Sequence, residues 1–255
     1  MLAVGEGVTQ VSVGDRIVLP LYSLTWRERL IVSAADVTVV PKTADAEQLS
    51  MLRINAVTAG LLLTEFAVLE AGDWVIQNAG NSAVARTVTA IAKARGLKTI
   101  NLVRRPDAVK DAIAAGADAA FVDDDQALER IHAVVGDRGV KLALDGVGGA
   151  AVGRLAAALS IGGTIVSYGI LGGDVVASTS AIDIIFKDLT YRGFYLDKPE
   201  YAEAIPSLIT QAAELVASGH LRVPVAGIYT LDDLGNAVAH AQKGGKVLLK
   251  FGTHL

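Results

Sequence analysis

The sequence predicts a doubly wound parallel α/β sheet joined to a partial, mostly β domain formed by both chain ends. Three observations carry this. Between residues 73 and 196, short β-branched runs alternate with alanine-rich stretches of helical spacing. Most of those runs lack in-out alternation, as strands do when helices cover both faces of their sheet. The first forty residues instead break into short pieces set off by turn residues.

Taken in order, AVGEGVT, GDRIVLP, RERLIVS and VTVVP read as short antiparallel strands, and helical patterns follow around 44–54 and 57–67. Four such strands bury little by themselves, so this domain reads as incomplete. The parallel strands are WVIQNA at 74–79, TINLV at 99–103, AAFV at 119–122, KLALDGV at 141–147, GTIVSYG at 163–169 and LTYRGFYL at 189–196. Between the first two, Val84, Val88, Ile91 and Arg95 fall on one helical face, and Gly96 stops the helix. A second helix is predicted over 199–218, with Pro199 near its start, Tyr201, Ile205, Leu208, Ala212, Leu215 and Val216 inward, and Gly219 just past its end. Thr230 and Asp233 resemble a capping box for a helix to about Gln242, and KVLLKF at 246–251 reads as a closing strand. The expected domains are 1–50 with 222–255, and 51–221.

Composition narrows the function. Lys and Arg number 23 against 27 Asp and Glu, a net charge of −4, which disfavours nucleic acid or an anionic membrane as partner. Cysteine is absent, which removes thiolate ligands and a cysteine nucleophile and fits a reducing, cytoplasmic setting. His132, His220, His240 and His254 never stand at the i, i+4 spacing of a helical metal pair, so no metal site is expected. No window reaches the roughly 18 apolar residues of a membrane span.

The most informative stretch is NAGNSAVA at 78–85, between a predicted strand and a helix, where a pyrophosphate meets free helix amides. Against G-x-G-x-x-G/A it keeps Gly80, replaces the second glycine with Ser82 and ends on Ala85. Asn81 and Ser82 add polar hydrogen-bonding groups, although an ordinary turn with Ser82 as N-cap accounts for the same residues. About 20 residues on, where NAD-binding units carry an acid for the ribose diol, the chain reads LVRRPD. Arg104 and Arg105 suit a 2′-phosphate and hence NADP(H). SYGIL at 167–171 and GFYLD at 193–197 follow later strands at the sheet edge where ligands bind. Their aromatics Tyr168, Phe194 and Tyr195 either wall a nicotinamide pocket or belong to the core. Asp145, in LDGVGG, either caps the following turn or touches ligand.

Several segments together resemble the medium-chain dehydrogenase/reductase superfamily, and within it the zinc-independent 2-enoyl thioester reductases of the trans-2-enoyl-CoA reductase type. They are VGDRIVLP at 13–20, LTWRERLIV at 24–32, INAVTAGLLL at 54–63, GDWVIQNAGNSAVARTV at 72–88, KTINLVRRPD at 98–107, IFKDLTYRGFYL at 185–196 and GGKVLLKF at 244–251. The resemblance implies a dinucleotide-binding domain inserted into a β-barrel substrate domain, and a homodimer formed through the nucleotide domains. It implies that Asn55 and Thr58 floor the nicotinamide site, that Asn81, Ser82, Ala83 and Val84 hold the pyrophosphate, and that Arg104 and Arg105 hold the 2′-phosphate. Tyr168, Gly169, Ile170 and Leu171, with Phe194, Tyr195, Leu196 and Asp197, would flank the nicotinamide, and Lys246 would reach the cofactor.

The family's proton-donating tyrosine belongs to a segment that precedes the match to Met1, so no catalytic residue is assigned; Tyr22 stands in the wrong motif. Without that segment the substrate cleft is expected to expose apolar surface and the 255-residue form to reduce little substrate. The implied reaction is NADPH-dependent reduction of an activated C=C bond in a 2-enoyl thioester, with hydride to Cβ and a proton to Cα. The alternatives are a quinone or enone reductase of the same superfamily, and a catalytically silent nucleotide-binding module.

Overall fold

The computed structural model describes residues 1–252; His254 and the end of the predicted 222–255 segment lie outside the described residues. In chain order the elements are β1 (Arg16–Val18), β2 (Thr38–Val40), α1 (Ala46–Leu49), α2 (Leu52–Thr64), β3 (Trp74–Gln77), α3 (Ala83–Ala94), β4 (Lys98–Val103), α4 (Asp107–Ala114), β5 (Ala119–Val122) and α5 (Ala127–Val135). There follow β6 (Val140–Asp145), α6 (Ala151–Ala158), β7 (Thr164–Ser167), α7 (Ala181–Phe186), β8 (Thr190–Gly193), α8 (Ile205–Ala217), β9 (Val225–Tyr229), α9 (Leu234–Lys243) and β10 (Lys246–Leu249). They form two compact units, Asn55–Ala204 and Met1–Ile54 with Ile205–Leu255.

The larger unit is built on a six-stranded parallel sheet in the order β5-β4-β3-β6-β7-β8. Every predicted parallel strand is present, and most are shorter than expected at the C-terminal end. WVIQNA pairs only to Gln77, because Asn78 and Ala79 turn out of the sheet and Ala79 takes a left-handed φ of 47°. The core supplies the reason for the uninterrupted apolar runs. Ile76, Ile100, Ala143 and Ile165 of the sheet meet Ile131 of α5 and Val152 and Leu155 of α6, all at most 1% exposed. Each large aliphatic side chain buried this way contributes about 1.5–3 kcal/mol. Helix α3 buries Val88 and Ile91 as its spacing predicts, and Gly96 closes it at φ 72°.

Outside the parallel sheet the chain departs from expectation in three places. Of the four predicted N-terminal strands only two form, β1 and β2, paired antiparallel from Arg16↔Val40 to Val18↔Thr38. AVGEGVT and RERLIVS stay irregular, and Ile31 is fully exposed: neither segment finds a neighbouring strand, and an extended chain without a ladder gains little. The helix predicted over 199–218 divides into a 3-10 turn at Pro199–Tyr201 and α8. Pro206 explains the division, since proline suits a helix's first turn but not its interior. Thr230 makes no capping bond to α9; it precedes a 3-10 turn at Leu231–Asp233, and Asp233 makes none either. Helix α8 packs on β2 and α1, while β9 and β10 pair in parallel under α9. An apolar cleft of about 1390 Å³ lies within the smaller unit, lined among others by Leu24, Trp26, Ala237, Leu249 and Phe251. Leu24 and Trp26 are 70% and 61% exposed. Among the described residues no helix is long and apolar enough to cross a membrane.

Candidate active site

The sheet order reverses at β3, which has β4 on one side and β6 on the other, so a crevice opens at their C-terminal ends. The loop predicted to bind phosphate, residues 78–85, lies there. The Gly80 N–H donates to Leu102 O at 2.8 Å, and Asn101 Nδ2 donates to Gly80 O at 2.8 Å, which presses the loop onto β4. A Cβ on Gly80 would sit 2.7 Å from Asn101 Cβ and 2.9 Å from Leu102 O, so only glycine fits. From below, Gln77 Nε2 donates to Asn101 Oδ1 at 2.9 Å and to Ala85 O at 3.0 Å. Ser82 is the N-cap of α3, accepting from the Ala85 N–H at 3.2 Å. The Ala83 and Val84 amides begin the helix, where an N–H has no intrahelical acceptor. Asn81 is exposed beside them.

The two arginines follow β4 directly and both are exposed, but they differ in company. Arg105 holds Asp107 with Nε–Oδ1 at 3.1 Å and Nη2–Oδ2 at 3.3 Å, which keeps the Asp107 carboxyl below its ordinary range. Arg104 has no partner among the described residues.

Beyond β7, the N–H of Tyr168 donates to Asp145 O at 2.9 Å and that of Leu171 to Gly146 O at 2.9 Å. Ile170 and Leu171 present 59% and 74% of their surface. The Tyr168 ring is half-buried, but its hydroxyl is shielded and makes no well-formed hydrogen bond. Burial first, and then the Asp145 charge, push this phenol well above its ordinary value, with the Ser82 hydroxyl near enough to offset part of the shift. Phe194 stacks on Tyr201 at 5.9 Å and meets Phe66 edge-on at 6.0 Å, so it belongs to an aromatic cluster. Tyr195 and Asp197 are exposed, Leu196 is half-buried, and Gly169 lies 3.1 Å from Gly146 O measured from an added Cβ. Asn55 and Thr58 are buried about one turn apart on α2. Lys246 stands half-buried on β10 of the smaller unit.

The motif reading passed over the amides beneath the site, Gln77, Asn78 and Asn101, each at most 1% exposed. Their signal was legible, because a polar side chain inside an apolar strand such as WVIQNA or TINLV needs a partner. Asp145 accepts from the Val147 and Gly148 amides at 3.1 and 3.0 Å, which settles it as a cap of its own turn. Among the described residues no cluster of three His, Asp or Glu is placed to hold a metal.

A six-stranded parallel sheet with a phosphate loop at its switch point defines a Rossmann-type α/β protein. The family model for zinc-binding dehydrogenases matches residues 83–211. Mitochondrial enoyl-[acyl-carrier-protein] reductases are similar to the chain at 34% identity in Rattus norvegicus and 35% in Homo sapiens, covering 95% of this chain and 67% of each relative. The chain thus spans about two thirds of the length of these relatives. Among solved structures, the Etr1p/NADP/crotonyl-CoA complex superposes with a TM-score of 0.86 at 22% identity, over 98% of this chain and 77% of that one. Escherichia coli quinone oxidoreductase complexed with NADPH gives 0.81 at 24% identity, over 98% and 79%. The chain belongs to the medium-chain dehydrogenase/reductase superfamily and, within it, to the 2-enoyl thioester reductases.

Proposed function

We propose that the chain is an NADPH-dependent reductase of an activated C=C bond, with a 2-enoyl thioester as its substrate class. The observation that carries this is the unpaired Arg104 at the end of β4, in a place where a diol-binding unit needs an acid, beside a glycine loop pressed onto the same strand. The named enoyl reductase relatives supply the substrate class.

The residues fit the cofactor. Ala83 and Val84 offer helix amides to the pyrophosphate, with Asn81 and Ser82 beside them. Arg104 offers a fork to the 2′-phosphate, and Arg105 joins it by exchanging Asp107 for the ligand. Asn55, Thr58, the 168–171 loop, the 194–197 segment and Lys246 complete the proposed contacts. Bound there, NADPH supplies the hydride. The protein's part is to hold acceptor and donor in near-attack geometry and to exclude water, which is worth about 7–11 kcal/mol of a barrier. No proton donor is assigned.

Substituting Arg104→Ala together with Arg105→Ala is expected to weaken NADPH binding by about tenfold or more while NADH changes little, since a hydrogen bond to a charged group contributes about 1.5–3 kcal/mol. Calorimetry with both cofactors checks it; equal losses would mean that the arginines act through the fold. A quinone reductase is the second reading, favoured by the likeness to the E. coli enzyme. Steady-state rates with crotonyl-CoA against a quinone separate the two, and turnover of quinone alone overturns the first.

The proposal includes a homodimer through β8, the sheet's edge strand, exposed along its whole length with Phe186 at 76% and Ile185 at 69% nearby. The cytoplasmic placement expected from composition is kept as part of this reading. The named relatives are mitochondrial, and fractionation of the source cells decides between the compartments.

A further inference from the structure

We infer that Asn78 and Asp145 form a buried clamp tying the phosphate loop to the loop at 168–172, which makes Asn78 a positioning residue for hydride transfer. The second half of this rests on the NADPH reductase reading; the first rests on geometry alone.

Strands β3 and β6 part company just where the crevice opens. Their last ladder bond runs from the Asn78 N–H to Leu144 O at 3.2 Å. Beyond it one chain becomes the phosphate loop and the other the glycine loop Gly146–Gly149. The Asn78 side chain spans the fork: Nδ2 donates to Asp145 Oδ1 at 2.6 Å, and Oδ1 accepts from the Gly146 N–H at 2.7 Å. A carboxylate oxygen only accepts and an amide N–H only donates, so these two neighbours dictate which way the amide faces. Asp145, fully buried, also accepts from Val147 N, from Gly148 N and, through Oδ2, from Ser167 Oγ at 2.6 Å.

The glycine loop in turn carries the next one. Leu171 N donates to Gly146 O and Gly172 N to Val147 O, both at 2.9 Å. Little slack exists to absorb a shift. A Cβ on Gly146 would lie 2.8 Å from Tyr168 Oη, and one on Gly172 would lie 2.8 Å from Val147 O. Hydrogen bonds thus run without a break from the strand that leads into the pyrophosphate cradle to the loop proposed to flank the nicotinamide. A displacement at Asn78 moves one relative to the other, and small errors in reacting distance lower rates steeply.

A purely structural role makes a different prediction, which is uniform loosening. The test compares the wild type, Asn78→Ala and Asp145→Asn. The alanine leaves the Gly146 N–H without an acceptor. The asparagine is nearly isosteric and keeps an oxygen for Asn78, Val147 and Gly148, while its NH2 faces Ser167, whose hydroxyl accepts and passes its own proton toward Tyr191 Oη, 2.8 Å away.

Hydrogen exchange on the ligand-free proteins comes first. Asn78→Ala is expected to speed exchange at Gly146, Leu171 and Gly172 by about tenfold or more, with Gly80 unchanged and Asp145→Asn close to wild type. Unchanged protection at those three amides, or an equal rise at Gly80, overturns the clamp. Single-turnover reduction of crotonyl-CoA follows. In Asn78→Ala the hydride step should fall about tenfold or more while affinity for adenosine 2′,5′-bisphosphate, which engages only the arginine side, stays within about twofold. Parallel losses in both, or an unchanged hydride step, overturn the positioning role. A wild type that binds NADPH without turnover overturns the positioning role, one that neither binds nor turns over overturns the reductase reading as well, and in either case the exchange data still decide the clamp.

Discussion

At the scale of single residues, Tyr168 shows what burial does to a polar group with no partner. Its hydroxyl is shielded from water and makes no well-formed hydrogen bond, so the fold carries the cost of desolvating it. Replacing it by phenylalanine is expected to stabilise the protein by about 1 kcal/mol at neutral pH, because an unsatisfied buried hydroxyl costs about 1–3 kcal/mol. The pH dependence has a definite sign. The folded phenol is pushed above the ordinary 10.0, so the unfolded chain loses that proton first and stability falls as pH rises past about 10. Tyr168→Phe should flatten this part of the alkaline decline. Urea unfolding at pH 7 and above pH 10 measures both effects, and a destabilised variant would show that the hydroxyl is hydrogen-bonded after all.

At the scale of elements, the proposed phosphate loop shows what a degenerate motif keeps its one glycine for. Its glycine is demanded by the approach to β4 and not by a left-handed backbone, since the left-handed residue is the neighbouring Ala79. Both neighbours that crowd Gly80 belong to a central strand, one of them a backbone carbonyl, and cannot step aside. Gly80→Ala should therefore cost about 1–3 kcal/mol by forcing the loop off the strand. It should also weaken dinucleotide binding more than Tm suggests, as the Ala83 and Val84 amides move with the loop. Thermal melts paired with NADPH titration check this; a melt and an affinity like those of the wild type would mean that the loop has room.

At the scale of the whole molecule, the open question is what meets the sheet's free edge. Thr190 and Phe194 donate inward to Gly163 O and Ser167 O, at 3.0 and 2.9 Å. By alternation the amides of Tyr191 and Gly193 point away from β7, available to a second copy. A side chain on Gly193 would meet nothing within 4 Å, so Gly193→Pro removes an outward donor without crowding the fold. Light scattering should find the wild type dimeric at micromolar concentration and the variant monomeric. A dimeric variant would place the interface elsewhere, and a monomeric wild type would remove the homodimer from the proposal.

The sequence by itself determined the parallel sheet, the position of each of its strands and the strand-to-helix turn at Gly80, because these follow from local periodicity and from residue types at fixed spacing. It did not reveal that RERLIVS stays unpaired or that Arg105 holds Asp107 while Arg104 stands open; strand formation and ion pairing depend on what arrives from elsewhere in the chain. Pro206, like the strand amides Gln77 and Asn101, was a local signal passed over, and it divides a helix that its apolar face alone makes continuous. Asp145 had two readings at the outset, and only tertiary contact chose between them, placing it beneath a glycine loop; Phe194 gains its aromatic neighbours Phe66 and Tyr201 the same way. The Asn78–Asp145 bridge was not legible in sequence, since its partners stand 67 residues apart and meet only because β3 and β6 become neighbours where the sheet order reverses.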